Sequence, residues 1–177
     1  MKNLIVITLL LLTSSPLIAQ QNEFIDDSIE RLENSRKYLL LVADMMPEEK
    51  YDYKATEESL SFSENLMHIG FALDWHSQSL IGNREARVYQ TDTIFKPANK
   101  TKEEMMARID QTFTEAIALL QDVVPAELNI ELDYFGSTRS KRQIYMLLAD
   151  HITHHRAQML VSMRLNGLVP PRYVLYQ

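Results

Sequence analysis

A chain of 177 residues with a formal charge of −6 and no cysteine is long enough for one domain with its own core and too short for two domains of ordinary size. The acidic balance opposes binding to a phosphate backbone, so the sequence predicts no nucleic-acid partner. The lack of cysteine excludes disulfides, thiolate metal ligands, a cysteine nucleophile and lipid attachment at a cleavage-site cysteine.

The first twenty residues have the pattern of a secretory signal peptide. Lys2 gives a short positive start, residues 4–12 form an apolar run, and residues 14–19 form a small-residue end. The apolar run is about half of the ~20 residues needed to cross a bilayer, so cleavage is favoured over a retained anchor. We therefore predict a signal peptide at residues 1–20 and one domain at residues 21–177. The mature protein is expected to be periplasmic or secreted, without stable membrane insertion.

The predicted domain begins with two segments that have the apolar periodicity of helices. The first spans Phe24 to Met46 and ends at Pro47. A polar stretch then leads into a second helix near Ser61 to Leu80, which carries His68 and His76. This second helix is apolar on more than one side, which indicates that it packs between neighbours.

A polar connection of about twenty residues separates the second helix from the third and is long for a compact bundle. It either covers a site or crosses the bundle. Thr101 with Glu104 forms a capping box at the start of helix three, which continues to Val124-Pro125. Residues 129–136 alternate apolar and polar side chains and could be extended, but the stretch is too short to assign.

The last segment is interpreted as one helix from Thr138 to Asn166, capped by Ser137 or Thr138 and ended by Gly167. Four helices without a repeat, a low-complexity tract or a convincing sheet predict an all-α four-helix bundle.

Helix four holds three of the five histidines of the chain. With a rotation of about 100° per residue, one core-facing stripe contains Ile144, Leu148, His151, His155, Ser162 and Leu165. His154 lies at the edge of this stripe. Two imidazoles at i and i+4 project the same way from successive turns and can reach one metal ion. A third ligand from another helix would complete a site. The helical wheel of helix four does not decide whether that ligand is His68 or His76.

Other residues of helix four have simpler explanations. His154 is expected at the rim, and Arg156 is expected off the core face in a surface salt bridge. Gln158 is either a hydrogen-bonded core residue or a group that orients a ligand. Met146 and Leu160 lie on the outward side, which leaves a homodimer open as an alternative.

Two motifs carry a family resemblance. Helix two contains Glu64-Asn65-Leu66-Met67-His68-Ile69, and helix four contains His151-Ile-Thr-His154-His155-Arg156-Ala157-Gln158. A Gly-Leu-Val-Pro-Pro segment follows at residues 167–171. With these motifs the sequence resembles the DinB/YfiT-like metalloprotein superfamily over essentially the whole predicted domain. The resemblance implies a four-helix bundle that binds one divalent metal through three histidines, which are His68, His151 and His155 in this sequence.

Three neutral imidazoles around a divalent ion leave one or more positions for water or substrate, as in catalytic rather than closed structural sites. We expect zinc, with nickel, iron or manganese as alternatives. The first hypothesis is a metal-dependent hydrolase or transferase acting on a small molecule whose identity the sequence does not give. The second hypothesis is a non-catalytic metal-binding or sensing module of the cell envelope. The third is a bundle that mediates protein contacts without a metal.

Overall fold

The computed structural model describes the backbone of residues 2–173 and the side chains of residues 23–173. Its four helices are α1 (Lys2–Met45), α2 (Phe62–Asp74), α3 (Lys102–Gln121) and α4 (Lys141–Leu165). α1 packs against α3 and α4, and α2 packs against the same two helices, so the order around the bundle is α1, α3, α2, α4. The predicted helical fold is confirmed.

α1 begins earlier than predicted. Its backbone is helical from Lys2 to Met45, whereas the apolar pattern predicted a start at Phe24. The leucine residues of the predicted leader are strong helix formers, no glycine separates them from Phe24, and the helical backbone continues through Pro16. The side chains of the predicted signal peptide lie outside the described residues, so its cleavage stays a prediction. Within the described part of the chain, no helix is both long enough and apolar enough to cross a membrane.

Each of the other three helices begins with a capping box. The cap hydroxyl accepts a hydrogen bond from the backbone N–H three residues later, and the side chain at that later position accepts from the cap N–H. The pairs are Ser61 with Glu64, Thr101 with Glu104, and Ser140 with Gln143. The prediction for Thr101 and Glu104 is confirmed, and all three helices have fixed starting points.

A short hairpin precedes α4 and corrects the expectation of a fold without a sheet. Strands β1 (Glu131–Tyr134) and β2 (Ser137–Ser140) pair in antiparallel register. The two residues between them, Phe135 and Gly136, have positive φ values of 53° and 76°. Positive φ at both central residues is the turn geometry that matches the twist of a two-residue hairpin.

This hairpin also shifts the start of the fourth helix. We predicted a cap at Ser137 or Thr138, but both residues pair with β1 and the cap is Ser140. The prediction was wrong because Ser140 and Gln143 supply a complete capping box three residues further on. The buried face of α4 otherwise follows the predicted stripe, except that Leu165, the last residue of the helix, is 57 % exposed.

The predicted second helix has two parts of different pitch. α2 passes directly into a π-helical segment, Trp75–Ile81. π-helical turns are rare and frequently occur at functional sites. The change of pitch falls at Trp75 and His76, on the side of the bundle where the hairpin lies, since His76 bonds to Tyr134 of β1.

Gly70 sets the distance between α2 and its neighbours. A Cβ atom at this position would lie 2.6 Å from Ile109 Cδ1 of α3 and 2.8 Å from Cε1 of Phe95 in the long connection. Phe95 is itself buried. The polar connection between α2 and α3 is therefore anchored onto α2 through Phe95.

Candidate metal centre

Three histidines from two helices lie together inside the bundle. α2 supplies His68, and α4 supplies His151 and His155. One ring nitrogen from each lies within 4.8 Å of the other two, and the ring centroids are 4.5 to 5.1 Å apart. Among the described residues, this is the one group of three or more potential ligand side chains. Metal–nitrogen bonds of 2.0 to 2.1 Å require nitrogens about 3.3 Å apart, so small ring movements suffice to hold an ion.

Two nitrogens of this triad lack a hydrogen-bond partner. His68 Nδ1 and His151 Nε2 are buried, and nothing in the described chain bonds to them. A buried polar group without a partner costs about 1 to 3 kcal/mol. A bound cation would remove that cost, so the donor set fits the ion implied by the family resemblance.

The third imidazole is oriented by Asn65. The Asn65 side-chain amide donates to the carbonyl oxygens of Leu60 (3.1 Å) and Ser61 (2.9 Å), which turns its own oxygen Oδ1 toward His155 Nδ1 at 2.9 Å. His155 Nδ1 therefore carries the proton and donates, and Nε2 keeps its lone pair for a metal. Sequence analysis did not single out Asn65, although its position three residues before His68 places both side chains on one side of α2.

Burial keeps the triad neutral. Desolvation, with a smaller contribution from the neighbouring imidazoles, lowers the pKa of His151 to about 4 and that of His155 to about 3. The pKa of His68 is also lowered by burial, and then by the positive charge of Lys96. Because a metal binds the neutral imidazole, all three residues are in their ligand form at pH 7.

Neither of the remaining histidines closes the site. His76 is buried, and its Nδ1 lies 2.6 Å from the Ala72 carbonyl oxygen while its Nε2 lies 3.0 Å from the Tyr134 hydroxyl. The carbonyl can only accept, so Nδ1 donates and Nε2 accepts from Tyr134. His154 is exposed, as the wheel indicated, and its Nε2 bonds to the Gln158 amide at 2.9 Å. Both residues are engaged elsewhere, and the triad has no fourth protein ligand among the described residues.

A cleft of about 360 Å³ lies beside the triad. His68 and His151 form part of its lining, and half of the other lining residues are Phe, Tyr or Trp. The other lining residues are Phe71, Ala72, Trp75, His76, Arg87, Val88, Tyr89, Gln90, Tyr134 and Phe135. A small molecule in this cleft would therefore contact both an aromatic surface and two of the three candidate ligands.

Comparison with known sequences and structures identifies the family and supports the fold. A sequence profile of the DinB family matches residues 20–176. The chain belongs to the DinB family. A DinB-like protein from Bacillus cereus has a structure with a TM-score of 0.68 at 22% identity, and the match covers 85% of this chain and 95% of that one. A DinB-like protein from Bacillus subtilis also gives a TM-score of 0.68, at 20% identity, with 85% and 99% covered. At these identities the likeness supports the fold alone. No curated protein matches this chain.

One residue of the DinB-family motif in α4 is placed differently from our prediction. Arg156 was expected in a surface salt bridge, but it is 2 % exposed. Its guanidinium carbon lies 5.2 Å and 5.5 Å from the ring centroids of Tyr38 and Tyr173. The prediction was wrong because the segment after α4 folds back over this face, where the Tyr38 hydroxyl donates to the Pro171 carbonyl oxygen at 2.9 Å. Burial between rings replaces the expected carboxylate partner.

Two cleft residues of this DinB-family chain also escaped the sequence analysis. Tyr134 and Phe135 belong to the hairpin that we left unassigned. The alternation of Ile130, Leu132 and Tyr134, followed by Phe135-Gly136, was the available signal, but it spans only one short strand and its turn.

Proposed function

We propose that this DinB-family protein binds one divalent metal through His68, His151 and His155 and acts as a metal-dependent hydrolase or transferase on a small molecule. The observation that carries the proposal is a triad of neutral imidazoles, with buried nitrogens that lack partners, at the edge of a cleft. A divalent ion held there supplies a Lewis acid that polarises an oxygen or sulfur atom of the substrate.

The surrounding residues support catalysis over closed metal storage. Asn65 holds His155 in the tautomer that leaves Nε2 free. His76 and His154 are bonded elsewhere, so a substrate atom can take a fourth position. The cleft volume of about 360 Å³ lies in the range typical of small-molecule sites. We propose zinc as the ion, with nickel or iron as alternatives that imidazole ligands also suit, and manganese as an alternative that more often takes oxygen ligands.

The experiment is a measurement of metal content and affinity for protein purified without an affinity tag. His68→Ala, His151→Ala and His155→Ala should each abolish stoichiometric zinc binding, because each removes one of only three protein ligands. His154→Ala is the matched control, since it alters the neighbouring histidine on the same helix and should bind zinc normally. Loss of zinc from His154→Ala with retention by His155→Ala would contradict the assignment, as would normal binding by all four variants.

A non-catalytic metal-binding or sensing role in the cell envelope is the second candidate. It is favoured by the absence of a carboxylate among the described residues that line the cleft, and by the Tyr134 hydroxyl being already bonded to His76. The two candidates separate in an assay of zinc-loaded protein against activated esters and thioesters. Turnover that disappears in His155→Ala supports catalysis, whereas zinc binding without any turnover favours the sensing role.

We also propose that the protein is exported with cleavage of its leader. The leader pattern of residues 1–20 supports this, and the family match begins at residue 20, next to the predicted cleavage point. N-terminal sequencing of the exported protein should therefore start at Gln20 or Gln21. Recovery of the intact N-terminus in a membrane fraction would contradict cleavage.

A further inference from the structure

Phe135 has two unfavourable features at once. Its φ of 53° lies in the left-handed region, where hairpin turns normally place Asn, Asp or Gly. Its side chain is also 78 % exposed, although it is large and apolar. Backbone strain of this kind persists where the surrounding structure enforces it, and it is concentrated at ligand sites. Phe135 is therefore a candidate for a role outside folding.

The exposed ring is held in a defined position by its neighbours. Phe135 stacks on Trp75 with the ring centroids 5.3 Å apart and the planes at 24°. Tyr134 adds an edge contact to Phe135 at 4.8 Å. Trp75 is the first residue of the π-helical segment, so the unusual helix pitch and the strained turn meet at one stacked pair. We call Trp75, Tyr134 and Phe135 the aromatic wall.

Two polar groups in the same cleft are already engaged. Arg87 Nε lies 3.2 Å from Asp74 Oδ2, and its Nη1 lies 3.7 Å from Asp92 Oδ2. The Tyr134 hydroxyl is bonded to His76. Apart from the triad nitrogens, the exposed Gln90 amide and the Tyr89 hydroxyl, the described lining therefore offers a ligand mainly the faces and edges of aromatic rings.

We propose that the aromatic wall binds the flat apolar part of the substrate, so that the substrate class is an aryl compound with an oxygen or sulfur group that reaches the metal. This inference rests on the proposed metal function. The occupant is a small molecule because the cleft holds about 360 Å³ and is continuous with the triad through His68 and His151. Phe71 and Tyr89 line the same cleft, and Tyr89 lies 5.6 Å from the His68 ring.

The test uses two probes with one head group. Benzohydroxamic acid and acetohydroxamic acid present the same metal-binding oxygens, and only the first carries a ring. With the zinc-loaded mature protein, calorimetry should give an affinity for benzohydroxamic acid on the order of 10-fold higher, because the ring is buried against aromatic side chains. Trp75 is the one tryptophan in the chain, so its emission should change with benzohydroxamic acid and remain nearly constant with acetohydroxamic acid.

Phe135→Asn separates a ligand-binding role from a structural one. Asn tolerates left-handed backbone geometry, so the melting temperature of this variant should equal or exceed that of the parent. Its affinity for benzohydroxamic acid should fall roughly 3- to 10-fold while that for acetohydroxamic acid is unchanged. Phe135→Tyr keeps the ring and should bind both probes normally. Val169→Asn is a second control, because Val169 is 83 % exposed and does not line the cleft.

Three results would overturn the inference, and they are distinguishable. Equal affinity for the two probes, with zinc bound, removes the aromatic wall from recognition and leaves the metal proposal intact. Failure of the parent protein to bind zinc removes the proposed function and this inference with it. A dimer in sedimentation experiments that Phe135→Asn converts to monomer, without any effect on probe affinity, identifies the wall as a contact between two copies of the chain.

Discussion

Asn65 determines which nitrogen of His155 can bind a metal, because its oxygen accepts from Nδ1. Asn65→Leu removes this acceptor and should lower zinc affinity by about 10- to 100-fold, the usual effect of losing a group that orients a ligand. Asn65→Asp keeps the acceptor for His155 but places a second oxygen against the Leu60 and Ser61 carbonyl oxygens, so it should lower the melting temperature while retaining more zinc affinity than Asn65→Leu. Competition with a chromophoric chelator gives both values. Equal losses in the two variants would mean that Asn65 acts through folding rather than through His155.

The sequence predicts individual residues well where helix geometry alone decides. His151 and His155 follow from the wheel, and the structure brings them together with His68. His68 could be preferred over His76 only through the family resemblance, because both lie on the same helix and the partner of His76 is in the hairpin. Arg156 could not be placed, since its burial depends on Tyr173, a residue beyond the end of α4.

At the scale of elements, the close packing of α2 depends on Gly70. Gly70→Ala places a methyl group 2.6 Å from Ile109 Cδ1 and 2.8 Å from the Phe95 ring, so we expect a loss of about 1 to 3 kcal/mol in the free energy of unfolding. Urea denaturation measures this loss. Adding Ile109→Val deletes the Cδ1 atom and should recover part of the stability of Gly70→Ala, although the same change lowers the stability of the parent. An additive double variant would show that the clash with Ile109 is not the cause.

The elements that the sequence left unassigned have an apolar pattern too short or too ordinary to identify them. β1 alternates exposed and half-buried residues over only four positions, and β2 has one half-buried residue, so the alternation is too short to define strands. The π-helical segment has the residue composition of an ordinary helix, and only its hydrogen bonds distinguish it. By contrast, α2, α3 and α4 have clear apolar stripes and capping boxes, and the pattern predicts their ends to within a few residues, whereas α1 begins well before its predicted start at Phe24.

At the scale of the whole molecule, the buried histidines link stability to pH. The pKa is lowered to about 4 for His151 and His76 and to about 3 for His155, whereas an unfolded histidine has a pKa of about 6.5. Between these values the unfolded state binds more protons than the native state. The metal-free protein should therefore lose stability as the pH falls from about 6.5 toward 4, by up to about 1.4 kcal/mol per pH unit for each such histidine.

Urea denaturation of metal-free protein between about pH 7 and pH 5.5 tests this dependence above the range where most carboxylates titrate. His155→Ala should flatten the dependence, because one buried imidazole is lost. His154→Ala should leave it unchanged, since the side chain is exposed in the native state. A flat profile for the parent protein would mean that the histidines are protonated as readily in the native state as in the unfolded chain.

The order of helices around the bundle bears on how the protein matures. Since α1 and α2 both pack against α3 and α4, a chain that emerges N-terminus first presents two helices whose main partners have not yet been delivered. Two of the three imidazoles lie on α4, the last helix to emerge. If the chain is exported as proposed, the metal site cannot assemble gradually during translocation. It would form only when nearly the whole chain has crossed the membrane, and until then the apolar faces of α1 and α2 would depend on some other protection from aggregation.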